Sequence, residues 1–197
     1  LKNCVITNGA TTSSAVLVSN AATIGTAGYF NNITIENNRL RKAFMGIYCI
    51  GVNTATNGQG LNILSNDLAV SNASNALYDV GIYLQDITGA TVQGNQIGNF
   101  TGSNSNDDKG IWLATGVRNT SVLNNNISNL NYTGGLGYGG QGIYISTATA
   151  NAGIRLAHNM IANMTGDGYD YTSASYGIDN PAGIVLTGTQ SGIEIFF

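Results

Sequence analysis

Charge is scarce in this chain. Asp, Glu, Lys and Arg together make up 9 % of 197 residues, and the formal net charge is −3; ordinary soluble domains carry about 25 % charged residues. So small a balance gives a nucleic-acid backbone or an anionic membrane nothing to hold, and no nucleic-acid partner is expected. Proline is nearly absent (Pro181 alone), and His158 is the single histidine. The two cysteines, Cys4 and Cys49, are too few for a disulfide framework, and nothing near them has metal-ligand spacing. Apolar runs stay far below the roughly 18 residues of a membrane span. Low charge combined with 43 % hydrophobic residues also excludes a disordered chain, which would be polar and strongly charged.

What the chain has in quantity is glycine and asparagine, 27 of each. Both tolerate left-handed backbone angles, so their abundance implies many tight turns. They are also ordered. An aliphatic-x-x-Asn-x-aliphatic unit recurs at Ile35–Leu40, Ile63–Leu68, Val92–Ile97, Val122–Ile127 and Leu156–Ile161, with its Asn at positions 38, 66, 95, 125 and 159. Successive Asn residues are 28, 29, 30 and 34 apart. Leu1–Ile6 fits with Cys4 in place of Asn. A second unit is coupled to the first: Gly46-Ile-Tyr-Cys, Gly81-Ile-Tyr-Leu, Gly110-Ile-Trp-Leu, Gly142-Ile-Tyr-Ile and Gly183-Ile-Val-Leu, with Ala15–Val18 as a degenerate copy.

These units are too short, too β-branched and too often broken by Gly and Asn to be helical. Reuse of one strand text at a near-constant period predicts a solenoid, in which each coil sets its residue over the equivalent one below. The repeats resemble the right-handed parallel β-helix family, the pectate-lyase-like superfamily. The resemblance covers essentially the whole chain and implies a single all-β repeat region over residues 1–197, with about six coils. Columns of Ile, Val and Leu should fill the bore. The Asn column should form an amide ladder at a turn, where Asn also accepts the required backbone angles. From the end of one Asn unit to the next motif Gly the gaps lengthen along the chain, so one edge of the rod is expected to carry growing loops, the usual binding face of a repeat protein. The sequence opens and closes inside apolar strand text, so flanking coils or domains of a longer chain are the expected neighbours.

Strand alternation points Tyr48, Tyr83, Trp112 and Tyr144 outward, in a stripe closed by Val185. Aromatic faces suit sugar rings, and enzymes resembling this family bind polysaccharide along the rod, so these four residues are the candidate carbohydrate-binding set. In the opposing expectation, loops cover the rings or the rings cover their strand's glycine. Asp167, Asp170 and Asp179 share one turn-rich loop and are the weak candidate for calcium, an ion that takes oxygen ligands; no other cofactor is expected. Glycoside hydrolysis needs two carboxylates across the bond; Asp107 and Asp108 are adjacent on a strand and should face opposite ways. The Asn-Thr-Asp and Gly-His-Gly motifs of polygalacturonase-like members are missing, so no catalytic residue is assigned. His158 shares a turn column with Asn3, Asn37, Ser65, Gly94 and Asn124 and is expected to serve that turn. Arg39, Arg41 and Lys42 form a small basic cluster on another turn. Cys49 should be a buried apolar substitute in the bore. The expected role is a rod-like repeat region of a secreted or surface bacterial protein that contacts glycan. The alternative is a fragment of a lyase or hydrolase acting on acidic polysaccharide.

Overall fold

The computed structural model describes residues 1–9, 13–54, 56–100, 102–103, 105–166 and 181–197. Among the described residues the chain visits three six-stranded sheets in turn, forming a parallel β-solenoid of about five turns. The first sheet holds the Gly-Ile-aromatic strands, from Ser14–Val18 through Val80–Gln85 to Ala182–Leu186. The second holds short strands such as Thr91–Gln93, and the third those such as Gln96–Gly98. All strand pairings are parallel and in the register the repeats predict: Ile82 pairs with Ile47 and Ile111, Val92 with Ile63 and Val122, and Ile97 with Leu68 and Ile127. Among the described residues no helix is long and apolar enough to cross a membrane.

These pairings produce continuous aliphatic files. Ile47, Ile82, Ile111 and Ile143 of the first sheet face Ile63, Val92 and Val122 of the second and Leu68, Ile97 and Ile127 of the third, all fully buried. Each such side chain contributes about 1.5–3 kcal/mol on burial. Cys49 sits in one of these files at 0 % exposure, and burial pushes its thiol pKa far up. At the last coil Ile195 and Phe197 are exposed and Ile193 is half-buried.

Between the second and third sheets runs the amide ladder. Asn38, Asn66, Asn95 and Asn125 each donate their backbone N–H and their Nδ2 to the Oδ1 of the next Asn, at 2.9–3.1 Å. The second Nδ2 hydrogen goes to a strand carbonyl of the coil before, as from Asn95 to Ile63 at 2.9 Å. Cys4 joins through its backbone N–H, which Asn38 Oδ1 accepts at 3.1 Å. The left-handed angle that was expected of the ladder asparagines falls one residue earlier, on Asn3, Asn37, Ser65, Gly94, Asn124 and His158 (φ 52–67°). Ladder geometry explains this shift: a side chain that hydrogen-bonds into the bore must leave the reversal of direction to its neighbour. His158 is thus an exposed corner residue.

The motif glycines mark close approach. A Cβ on Gly110 would lie 2.5 Å from the Gly142 carbonyl oxygen and 2.6 Å from Ile127 Cγ2, and Gly81 meets Gly110 and Ile97 in the same way. Loops of changing length lie at one corner, between the third sheet and the first, at 42–44, 70–79, 99–107 and 132–139. The residues beneath this corner and the outer face of the first sheet form the candidate site.

Candidate functional site

The four outward aromatics stand in one column, because register pairs Leu17 with Tyr48, Tyr48 with Tyr83, Tyr83 with Trp112, Trp112 with Tyr144 and Tyr144 with Val185. Their relationships differ along it. Tyr48 and Tyr83 stack face to face, 4.7 Å apart and 3° from parallel. Trp112 crosses both neighbours edge to face, at 5.0 Å and 83° to Tyr83 and at 5.5 Å and 75° to Tyr144. Rings at strand spacing whose planes are parallel hide their faces from solvent. Tyr48 is only 6 % exposed, and its hydroxyl accepts the Gly25 N–H at 3.1 Å from the loop after Ser14–Val18. At this position the Tyr48 ring lies beneath that loop. Burial raises the Tyr48 pKa, partly offset by that N–H, and pushes Tyr83 to about 12 with help from Tyr48 and Asp86.

Tyr83, Trp112 and Tyr144 are half-buried, and each has a polar anchor. Tyr83 donates to Gln85 Oε1 at 2.6 Å, Trp112 Nε1 donates to Ser146 Oγ at 2.9 Å, and Thr187 Oγ1 donates to the Tyr144 hydroxyl at 3.2 Å. These bonds fix the rings and set polar groups beside them. Trp112, turned across the column, is the ring whose orientation breaks the stack.

Lys109 lies beside the Trp112 and Tyr144 rings of the column and was not singled out by sequence reasoning. It is 7 % exposed, with Nζ 5.0 Å from the Trp112 ring centre and 5.2 Å from that of Tyr144. It also donates to the Asp107 backbone carbonyl at 2.9 Å, and the Asp107 carboxylate is 3.9 Å away. Asp107 in turn accepts the Gly139 N–H at 2.9 Å and Gln141 Nε2 at 3.0 Å. Asp108 has different surroundings: it is fully buried and neither carboxylate oxygen has a hydrogen-bond partner. Burial, then Asp79 and Asp107, push its pKa up to about 8 against the pull of Lys109. Asp79, 4 % exposed, is the matching residue one coil earlier, since Val80 pairs with Lys109. The parallel texts Asp79-Val-Gly-Ile-Tyr and Asp108-Lys-Gly-Ile-Trp carry the signal that would have found this pair.

The remaining candidates are dispersed. Arg41 is ion-paired with Asp67 at 2.5 Å, and Arg39 lies 4.0 Å from the same carboxylate, so two of the three residues of the basic cluster face a strand neighbour. Asp167, Asp170 and Asp179 lie outside the described residues. Among the described residues no group of three or more His, Cys, Asp or Glu is placed to hold a metal. No protein-family model, no curated protein and no solved structure matches the chain.

Proposed function

We propose that this chain is the repeat region of a large secreted or cell-surface bacterial protein, a right-handed β-helix akin to the pectate-lyase-like superfamily, and that it acts as a rigid rod contacting polysaccharide through Trp112 and its neighbours. The observation that carries the reading is the in-register column in which Tyr83, Trp112 and Tyr144 remain half-exposed while polar anchors hold them in place. Such rings offer apolar contact at low entropic cost, and the Gln85 and Ser146 side chains that hold them set polar groups beside that contact. Right-handed winding follows from the strong preference of parallel crossovers for that hand. A glycan array probed with the chain and with Trp112→Ala tests the reading. Binding that the variant loses supports it; no binding by the parent leaves the rod alone.

One observation favours a second reading, an enzyme fragment acting on acidic polysaccharide: Asp79, Asp107, Asp108 and Lys109 gather near Trp112 and Tyr144 of the aromatic column. All four are buried, and Lys109 is held by rings and by Asp107, so a polymer does not reach them as they stand. Formation of unsaturated product from polygalacturonate, lost in Lys109→Ala, would restore that reading.

A further inference from the structure

In the first sheet one column reads Met45, Val80, Lys109, Gln141 and Ala182 in register. Lys109 is its only charged member and one of just three lysines in the chain. It is nonetheless taken out of water, at 7 % exposure, together with Asp107 at 6 % and Gln141 at 0 %. Burying an ammonium group is costly, and packing alone would be served as well by the Met or Val of the earlier coils.

The three side chains meet at one atom. Asp107 Oδ2 accepts Gln141 Nε2 at 3.0 Å and stands 3.9 Å from Lys109 Nζ, so amide and amine border the same oxygen. The other oxygen, Oδ1, accepts the Gly139 N–H at 2.9 Å, which fixes the carboxylate. Lys109 Nζ donates to the Asp107 carbonyl at 2.9 Å and is flanked by the Trp112 and Tyr144 rings at 5.0 and 5.2 Å. Register keeps Lys109 and Gln141 side by side on adjacent strands. A primary amine, a carboxamide and a carboxylate placed between them can exchange one amide for another. Such exchange is slow between free molecules, but fixed geometry is worth effective concentrations of about 10⁵–10⁸ M. Burial also keeps out water, the competing nucleophile.

We propose that Lys109 and Gln141 condense into an intramolecular amide, with Asp107 as proton carrier, and that this bond ties two successive coils together. Asp107 Oδ2 takes a proton from the Lys109 ammonium group. Nζ then forms a bond to Gln141 Cδ, and the Cδ–Nε2 bond breaks. The departing nitrogen receives the proton held by Asp107 and the second one shed by Nζ, and it leaves as ammonium. Nothing is oxidised or reduced, and no co-reactant is needed. The remaining Nζ–H is still a donor for Asp107, while the buried cation is gone. Both cysteines are free, so this rung would give the rod a covalent link between coils that no disulfide provides. The bond is independent of the glycan reading.

The test uses the whole purified chain and needs no ligand. Its intact mass should fall short of the sequence by one ammonia. Trypsin should fail to cut after Lys109 and should release a branched peptide joining 43–118 to 119–155. Full mass should return in Lys109→Arg, which keeps a cation beside the rings, and in Gln141→Met. Asp107→Asn should slow or abolish the linkage, with circular dichroism reporting whether each variant keeps its β-structure. The parent measurement decides even where a variant fails to fold. A parent chain of full mass that is cut after Lys109 overturns the proposal. An ammonia loss that persists in Lys109→Arg overturns it too and points to a cyclised asparagine. Linkage at the parent rate in folded Asp107→Asn overturns the part given to that carboxylate.

Discussion

The side-chain oxygen of Asn95 accepts two hydrogen bonds from Asn66, one from its backbone N–H at 2.9 Å and one from its Nδ2 at 3.0 Å. Both donors are buried. Asn95→Ala therefore strands two polar groups in the bore, at about 1–3 kcal/mol each. The expected loss is about 2–6 kcal/mol, read from the urea midpoint. An exposed amide pair, in which Asn126 Nδ2 donates to Gln96 Oε1 at 2.9 Å, provides the control. Gln96→Ala should cost less than about 1 kcal/mol, because water replaces the missing partner. Equal losses at the two sites would contradict the ladder account.

Glycine at the head of the first-sheet strand is needed only where another coil follows closely. Gly110→Ala drives a Cβ against the Gly142 carbonyl and Ile127 Cγ2, and overpacking of this kind costs about 1–3 kcal/mol. For Gly183 the nearest atom to an added Cβ is Ile161 Cγ2 at 3.8 Å. Gly183→Ala should leave the melting temperature unchanged within about 2 °C. The same motif residue thus gives opposite outcomes in two coils, a contrast that thermal melting can check directly.

His158 has a φ of 52°. His158→Asn should be neutral, since Asn holds the equivalent corner at Asn37 and Asn124. His158→Val forces a β-branched residue into the left-handed region, at a cost of about 1–2 kcal/mol. Stability that did not distinguish the two variants would show that the corner relaxes.

Asp108 sets a pH dependence. Its pKa is raised from 3.8 to about 8, first by burial and then by Asp79, with Lys109 opposing. Below about pH 4 both folded and unfolded chains carry the proton. Between about pH 4 and 8 only the folded chain keeps it, so stability falls as pH rises, by up to about 1.4 kcal/mol per unit, and levels off above. The stability difference between the parent and Asp108→Asn should follow that slope. A difference that stays flat across the window would mean that Asp108 is ionised throughout.

Columns were legible in the sequence because burial reuses side chains. Ile82, Ile111 and Ile143 had to match in order to stack, and Asn66, Asn95 and Asn125 had to match in order to bond. Other features lacked a repeating signal. The loop whose Gly25 reaches Tyr48 has no counterpart in other coils, so the covering of that ring could not be read from periodicity. Asparagine served two needs at once, which concealed that Asn37 turns the chain while Asn38 bonds. Strand alternation separated Asp107 from Asp108, but it said nothing of the loops that bury both, nor of the hold that Trp112 and Tyr144 have on Lys109.

The corner between the third and first sheets varies freely in length, whereas the ladder side does not tolerate a change. Loops there run from 42–44 to 99–107 while Ile82 still pairs with both Ile47 and Ile111. Growth at this edge leaves the register elsewhere intact. Short segments that grow from this edge on successive coils stand about 4.8 Å apart along a shared axis, too close for folded domains side by side. Evolution could therefore diversify what this molecule presents without rewriting what keeps it upright.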